Sequence, residues 1–147
     1  MKFHYAFQKI VDLKSNEKTQ AEWMLSSAIG KLQAEEKSLS DLFEMREQMF
    51  EAQQEAACRC APVAEIRNIG IYVEYLESCI VKKQDDIQLA HVNVNKKQDH
   101  LTEKMLDEKV WLKARDKSKE KFRQESLLRE QNELDEMATV RFAINAR

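Results

Sequence analysis

Ala56-Ala57-Cys58-Arg59-Cys60-Ala61-Pro62-Val63 is the stretch that decides the fold. From Phe7 to about Ala57 the chain holds one glycine and no proline, so nothing interrupts a helix there. Residues 56–61 lose the apolar period, and Pro62 follows. Proline is tolerated in the first turn of a helix, where its missing N–H costs nothing, so Pro62 opens a second helix. The reading is a sharp turn between two helices.

Working outward, apolar side chains upstream recur at three- and four-residue steps: Ile10, Leu13, Ala21, Met24, Ala28, Leu32, Leu39, Leu42, Met45 and Met49. Glu17 and Glu35 fall on the same stripe. Downstream the period is cleaner. One register holds Ile66, Val73, Ile80, Ile87, Val94 and Leu101; the other holds Ile69, Leu76, Lys83, Ala90, Lys97, Lys104 and Trp111. A sustained three-then-four spacing predicts a left-handed supercoil. Folding the chain near residue 60 places positions summing to about 120 opposite each other. Lys104 then faces Glu17, Lys83 faces Glu35 or Glu36, and Trp111 meets Phe7 and Ile10. Val94 approaches Met24 and Ala28. The fold class is therefore all-α: two long helices in an antiparallel coiled-coil hairpin, one unit over 1–147. Helix one is expected at about 5–57, the turn at about 58–62 and helix two at about 63–143. Helix one runs out opposite about Lys119, which leaves a C-terminal helical overhang.

Composition agrees. The 147 residues include 2 Gly, 1 Pro and 34% charged side chains. Turn formers are too few for a sheet. The mean hydropathy of -0.65 leaves most side chains in water, as a narrow seam requires. A net charge of -2 supplies no global field for nucleic acid or an anionic membrane. No apolar run is long enough to span a bilayer, and the N-terminus lacks the pattern of a signal peptide. Three cysteines in such a chain fit reduced thiols in a cytoplasm.

Catalytic chemistry finds no foothold. There is no phosphate-cradling glycine loop and no H-E-x-x-H. Cys58 and Cys60 form a C-x-C, but zinc needs two further ligands, and His4, His91 and His100 lie far from the tip. No nucleophile–base set is visible. The expectation is no enzyme, no cofactor and no metal.

Two features stand out. Ile71, Tyr72, Tyr75 and Cys79 form a second apolar stripe beside the seam, and Tyr72, Leu76, Cys79 and Lys83 share one face. Exposed apolar patches with aromatics mark protein contacts; wider packing against helix one is the alternative. Second, Lys109, Lys113, Arg115, Lys117, Lys119, Lys121 and Arg123 meet only Asp116 and Glu120. Glu125, Glu130, Glu133, Asp135 and Glu136 then meet only Arg129. A basic block followed by an acidic one suits docking to a charged partner, or is simply a solvated face.

These residues resemble a known family. Phe3-His4-Tyr5-Ala6-Phe7-Gln8-Lys9-Ile10-Val11-Asp12-Leu13-Lys14, followed by Glu17, is similar to the start of the bacterial flagellar export protein FliJ family. Tyr72-Val73-Glu74-Tyr75-Leu76-Glu77 resembles its aromatic-x-x-x-Leu-Glu element, and Leu134-Asp135-Glu136-Met137-Ala138 its terminal D-E-x-A. The resemblance implies a soluble, cytoplasmic, monomeric component of the flagellar type III export apparatus at the cytoplasmic face of the membrane. Its implied partners are the export ATPase FliI with its regulator FliH, the cytoplasmic domain of the export gate protein FlhA, and the export chaperones it escorts. The resemblance further implies a need for it in flagellum assembly, and hence in motility and chemotaxis. The implied gate-binding residues are Tyr72, Leu76, Cys79 and Lys83; Cys79 and Lys83 depart from the family's small Ala and its His. The implied ATPase-ring contact falls on the Lys109–Arg123 block and the overhang. A generic coiled-coil spacer, without dependence on Tyr72, is the other class the sequence admits.

Overall fold

The computed structural model describes residues 2–147, and among them the regular structure is entirely helical. Helix α1 spans Gln8–Cys58 and α2 spans Val63–Asn145. The chain divides into two compact units, Met1–Gln20 with Thr102–Arg147, and Ala21–Leu101. Each unit sets a segment of α1 antiparallel to a segment of α2.

The turn belongs to the second unit. Ala61 N–H donates to the Ala56 carbonyl at 3.0 Å, and Cys60 N–H to that of Ala57 at 3.2 Å. This paired pattern is the Schellman motif, which satisfies carbonyls the last helical turn leaves over. It requires a left-handed residue just after the C-cap, here Arg59, and Cys60 supplies it at φ 56°. Pro62 then accepts the first bonds of α2, from Glu65 N–H at 3.0 Å and Ile66 N–H at 3.4 Å. Pro62 is thus the N-cap, one position earlier than a first-turn proline. Arg59 and Glu65 close the loop with an ion pair at 2.8 Å.

The buried side chains of the second unit are Ala21, Ala28 and Ala56 from α1, and Val73, Leu76 and Ile80 from α2. The register set by Lys83 and Glu35 places Val73, Leu76 and Ile80 opposite the stretch of α1 from Leu39 to Met49, away from the three alanines. Met24 and Met45 are 43% and 41% exposed and sit at the seam's edge. The expected pair Lys83–Glu35 forms at 2.8 Å. His91 lies 3.8 Å from Glu36.

In the first unit Val11 is buried. Lys104 reaches Glu17 at 3.6 Å, as the fold point requires, and Lys18 reaches Glu108 at 3.2 Å. Phe7 and Trp111 meet with ring centroids 6.2 Å apart. Helix α1 starts at Gln8, later than residue 5, and the reason lies in aromatic spacing. Phe3, Tyr5 and Phe7 alternate with other residues, a period that does not suit helix, and the Tyr5 carbonyl accepts from Gln8 N–H at 3.2 Å in a turn that leads into α1. Their rings follow one another at 6.4 and 5.8 Å, and Phe3 packs on Phe122 at 5.5 Å. Beyond Ser126 every residue of α2 is exposed.

Candidate partner-binding surfaces

The four residues of the implied gate-binding face lie within three turns of α2 but do not all face outward. Tyr72 is 37% exposed. Leu76, at 2%, is the most deeply buried large side chain among the described residues and belongs to the seam. Cys79 is half-buried. Lys83 bends toward α1, where its ammonium donates to Glu35, and that bond, the largest influence on it, raises its pKa above the ordinary lysine value. The helical spacing that put these residues on one stripe was sound, but the stripe straddles the seam's edge.

What the second unit exposes here is a neighbouring set. Tyr72 and Tyr75 stack with centroids 6.2 Å apart and planes 26° from parallel. Tyr75 is 63% exposed and Ile71 54%. The Tyr75 hydroxyl hydrogen-bonds the Cys79 sulfur, and this contact, before the Coulombic influence of the thiol, holds the phenol's pKa above its ordinary value. The result is an exposed aromatic pair with a thiol beside it, amphipathic side chains of the kind that carry binding energy at interfaces. The apolar stripe of the sequence already contained Ile71 and Tyr75; what it lacked was the inward turn of Leu76.

The basic block lies in the first unit. Lys109, Lys113, Lys117, Lys119, Lys121 and Arg123 are exposed, and Arg115 is half-buried. Arg123 is engaged bidentately by Glu120, at 2.9 and 3.1 Å. That pair lowers the Glu120 carboxyl's pKa and raises that of the guanidinium. Arg115 is 4.0 Å from Asp116. The five lysines therefore carry the outward charge of the block.

Cys58 and Cys60 are exposed at the tip. Among the described residues no three His, Cys, Asp or Glu side chains converge as a metal set, and no helix is long and apolar enough to cross a membrane.

Comparison with known proteins agrees with this geometry. The family profile described as Flagellar FliJ protein matches residues 2–147. A Flagellar FliJ protein of Bacillus subtilis (strain 168) is 26% identical over 144 residues, covering 98% of this chain and 98% of the relative. No solved structure matches the chain. Two helices around a four-residue turn, with a profile match over nearly every residue, place the chain in the Flagellar FliJ protein family.

Proposed function

We propose that the chain is a non-enzymatic component of flagellar protein export. In this reading it couples the export ATPase ring to the export gate, escorts export chaperones, and works at the cytoplasmic face of the membrane. The match of the family profile along residues 2–147 carries the reading. The geometry supports it with two separate surfaces. The stacked Tyr72–Tyr75 pair is the gate-facing anchor, with Ile71 beside it and Cys79 beneath. The lysines of the 109–123 block meet the acidic parts of the ATPase ring. No bond is made or broken by this protein. Its contribution is positional: one unit presents the aromatic surface and the other the basic one.

Binding of purified chain to the cytoplasmic gate domain and to the ATPase hexamer tests this. Tyr72→Ala with Tyr75→Ala is expected to weaken gate binding at least tenfold, the range of a lost interface hot spot, with helicity unchanged. Unaltered gate binding removes the assignment of that surface. A deletion strain that still assembles flagella and swims removes the reading as a whole.

A further inference from the structure

The seam side of α2 continues past the residues that cover it. Lys104, Glu108 and Phe122 are half-buried on one side of the helix, where they meet Glu17, Lys18 and Phe3. Ser126 is the last half-buried residue on that side. Steps of four and three residues then carry on through Glu130, Glu133, Met137, Val140 and Ile144. At about 100° per residue this row, from Ser126 to Ile144, falls within an arc of about 80°. Lys104, Glu108 and Phe122 fall within the same arc. Yet Met137 is 66%, Val140 57% and Ile144 67% exposed. The spacing of a helix seam thus runs on for ~27 Å beyond Ser126, and no described residue lies against it.

We propose that this row takes an amphipathic helix of another protein, which presents cations to Glu130 and Glu133 and apolar side chains to Met137, Val140 and Ile144. Side chains at alternating three- and four-residue steps fit the holes of a second helix with the same spacing. The sign of that helix's charge follows from the seam of this unit. Glu17 meets Lys104 at 3.6 Å, and Glu108 meets Lys18 at 3.2 Å. Acids at these positions take a cation from the helix opposite. Glu130 and Glu133 continue the same side one turn apart, and two lysines or arginines one turn apart complement them. The row holds two acids and no cation. A second copy of it would set carboxylates against carboxylates or against apolar side chains, so the occupant is a different chain. A helix that is apolar throughout is also disfavoured, since it would bury both carboxylates without a partner. The covered seam is untouched, so the chain keeps its own hairpin. The inference rests on seam spacing and charge, and does not depend on the proposed role in export.

A synthetic helix about three heptads long tests it, with leucine at its seam positions and lysine at the two that face Glu130 and Glu133. Its binding to the full chain is read by fluorescence anisotropy. The chain is expected to bind this peptide at least tenfold more tightly than the same peptide with glutamate in place of lysine. Glu130→Lys with Glu133→Lys is expected to reverse that preference, because the exchanged charges meet again. Met137→Gln with Val140→Gln should weaken binding of the lysine peptide at least tenfold and leave the Tm of the hairpin unchanged. Binding should weaken as salt goes from ~0.1 M to ~1 M, where the screening length falls from about 10 to about 3 Å. No binding, or equal binding of the two peptides, overturns the proposal. So does lysine-peptide binding indifferent to both double variants, which would belong to another acidic face. A dimer of the chain that Met137→Gln with Val140→Gln dissociates would give the row to a second copy and overturn it as well.

Discussion

The Lys83 ammonium donates to Glu35 Oε2 at 2.8 Å, joining α2 to α1 across 48 residues of chain. Both side chains remain partly in water, 26% and 35% exposed, so the bond selects a register more than it adds stability. Lys83→Glu is expected to lower Tm, since it sets two carboxylates together in the seam. Glu35→Lys in the same chain should recover most of the loss. Lys83→Met should shift Tm by no more than about 3 °C, since an apolar replacement costs little in a seam. Thermal unfolding followed by circular dichroism measures all three, and a double variant no better than the single one contradicts the pairing.

The same pair predicts an alkaline limit. Lys83 is held above its ordinary value of 10.5 by Glu35. Its contribution is complete below the unfolded lysine pKa and is lost as pH rises through the higher folded value. Unfolding between pH 9 and 12 should therefore show a loss in the wild type that is smaller in Lys83→Met. Tyr75 should ionise later than a free tyrosine, with a phenol raised above 10.0, and Cys79→Ala should bring it back.

Leu76 and Tyr75 are neighbours in sequence with opposite consequences. Leu76→Ala removes a fully buried side chain and should cost ~2–3 kcal/mol. Tyr75→Ala removes a largely exposed one and should stay within ~0.5 kcal/mol. Urea unfolding distinguishes them, and only the second variant reports on binding free of a folding defect.

Cys60 occupies a left-handed position that glycine fills without a Cβ penalty. Cys60→Gly should stabilise the hairpin by about 0.5–1 kcal/mol, and Cys60→Val should destabilise it by a comparable or larger amount. Equal midpoints for all three residues in denaturant would contradict the turn geometry.

Phe7 shields Trp111, whereas Trp23 is 73% exposed. In a Trp23→Phe background, Phe7→Ala should shift the Trp111 emission to the red. Phe3→Ala should leave it nearly unchanged, because that ring rests on Phe122. Emission that ignores Phe7→Ala would mean the contact does not persist in solution.

Much of this architecture can be read from periodicity. A proline after a run without period marks the turn, and lysines at seam positions find the acids that the fold point assigns them, as Lys83 and Lys104 do. Side-chain direction is harder to read at the seam's edge. Leu76 and Tyr72 are four residues apart and share a stripe, yet one is buried and the other is not. A stripe has width, and which of its borders faces the partner depends on how α1 packs against it. Spacing alone does not encode that. Ala56 is buried even though it sits where the period fails, because the Schellman turn brings Ala61 back toward it. The start of α1 was legible only through the alternation of Phe3, Tyr5 and Phe7, which a search for helical period passes over.

That alternation has a mechanical consequence. The rings of Phe7 and Phe3 rest against points eleven residues apart on α2, Trp111 and Phe122. Eleven helical residues span ~16 Å, while the four steps from Phe3 to Phe7 reach at most ~14 Å when drawn straight, so the rings supply the remainder. The Tyr5 carbonyl accepts from Gln8 N–H at 3.2 Å, so the segment enters α1 through a turn. A pull on Phe3 is shared between that turn and the ring of Phe122, and reaches α2 at two points along its length.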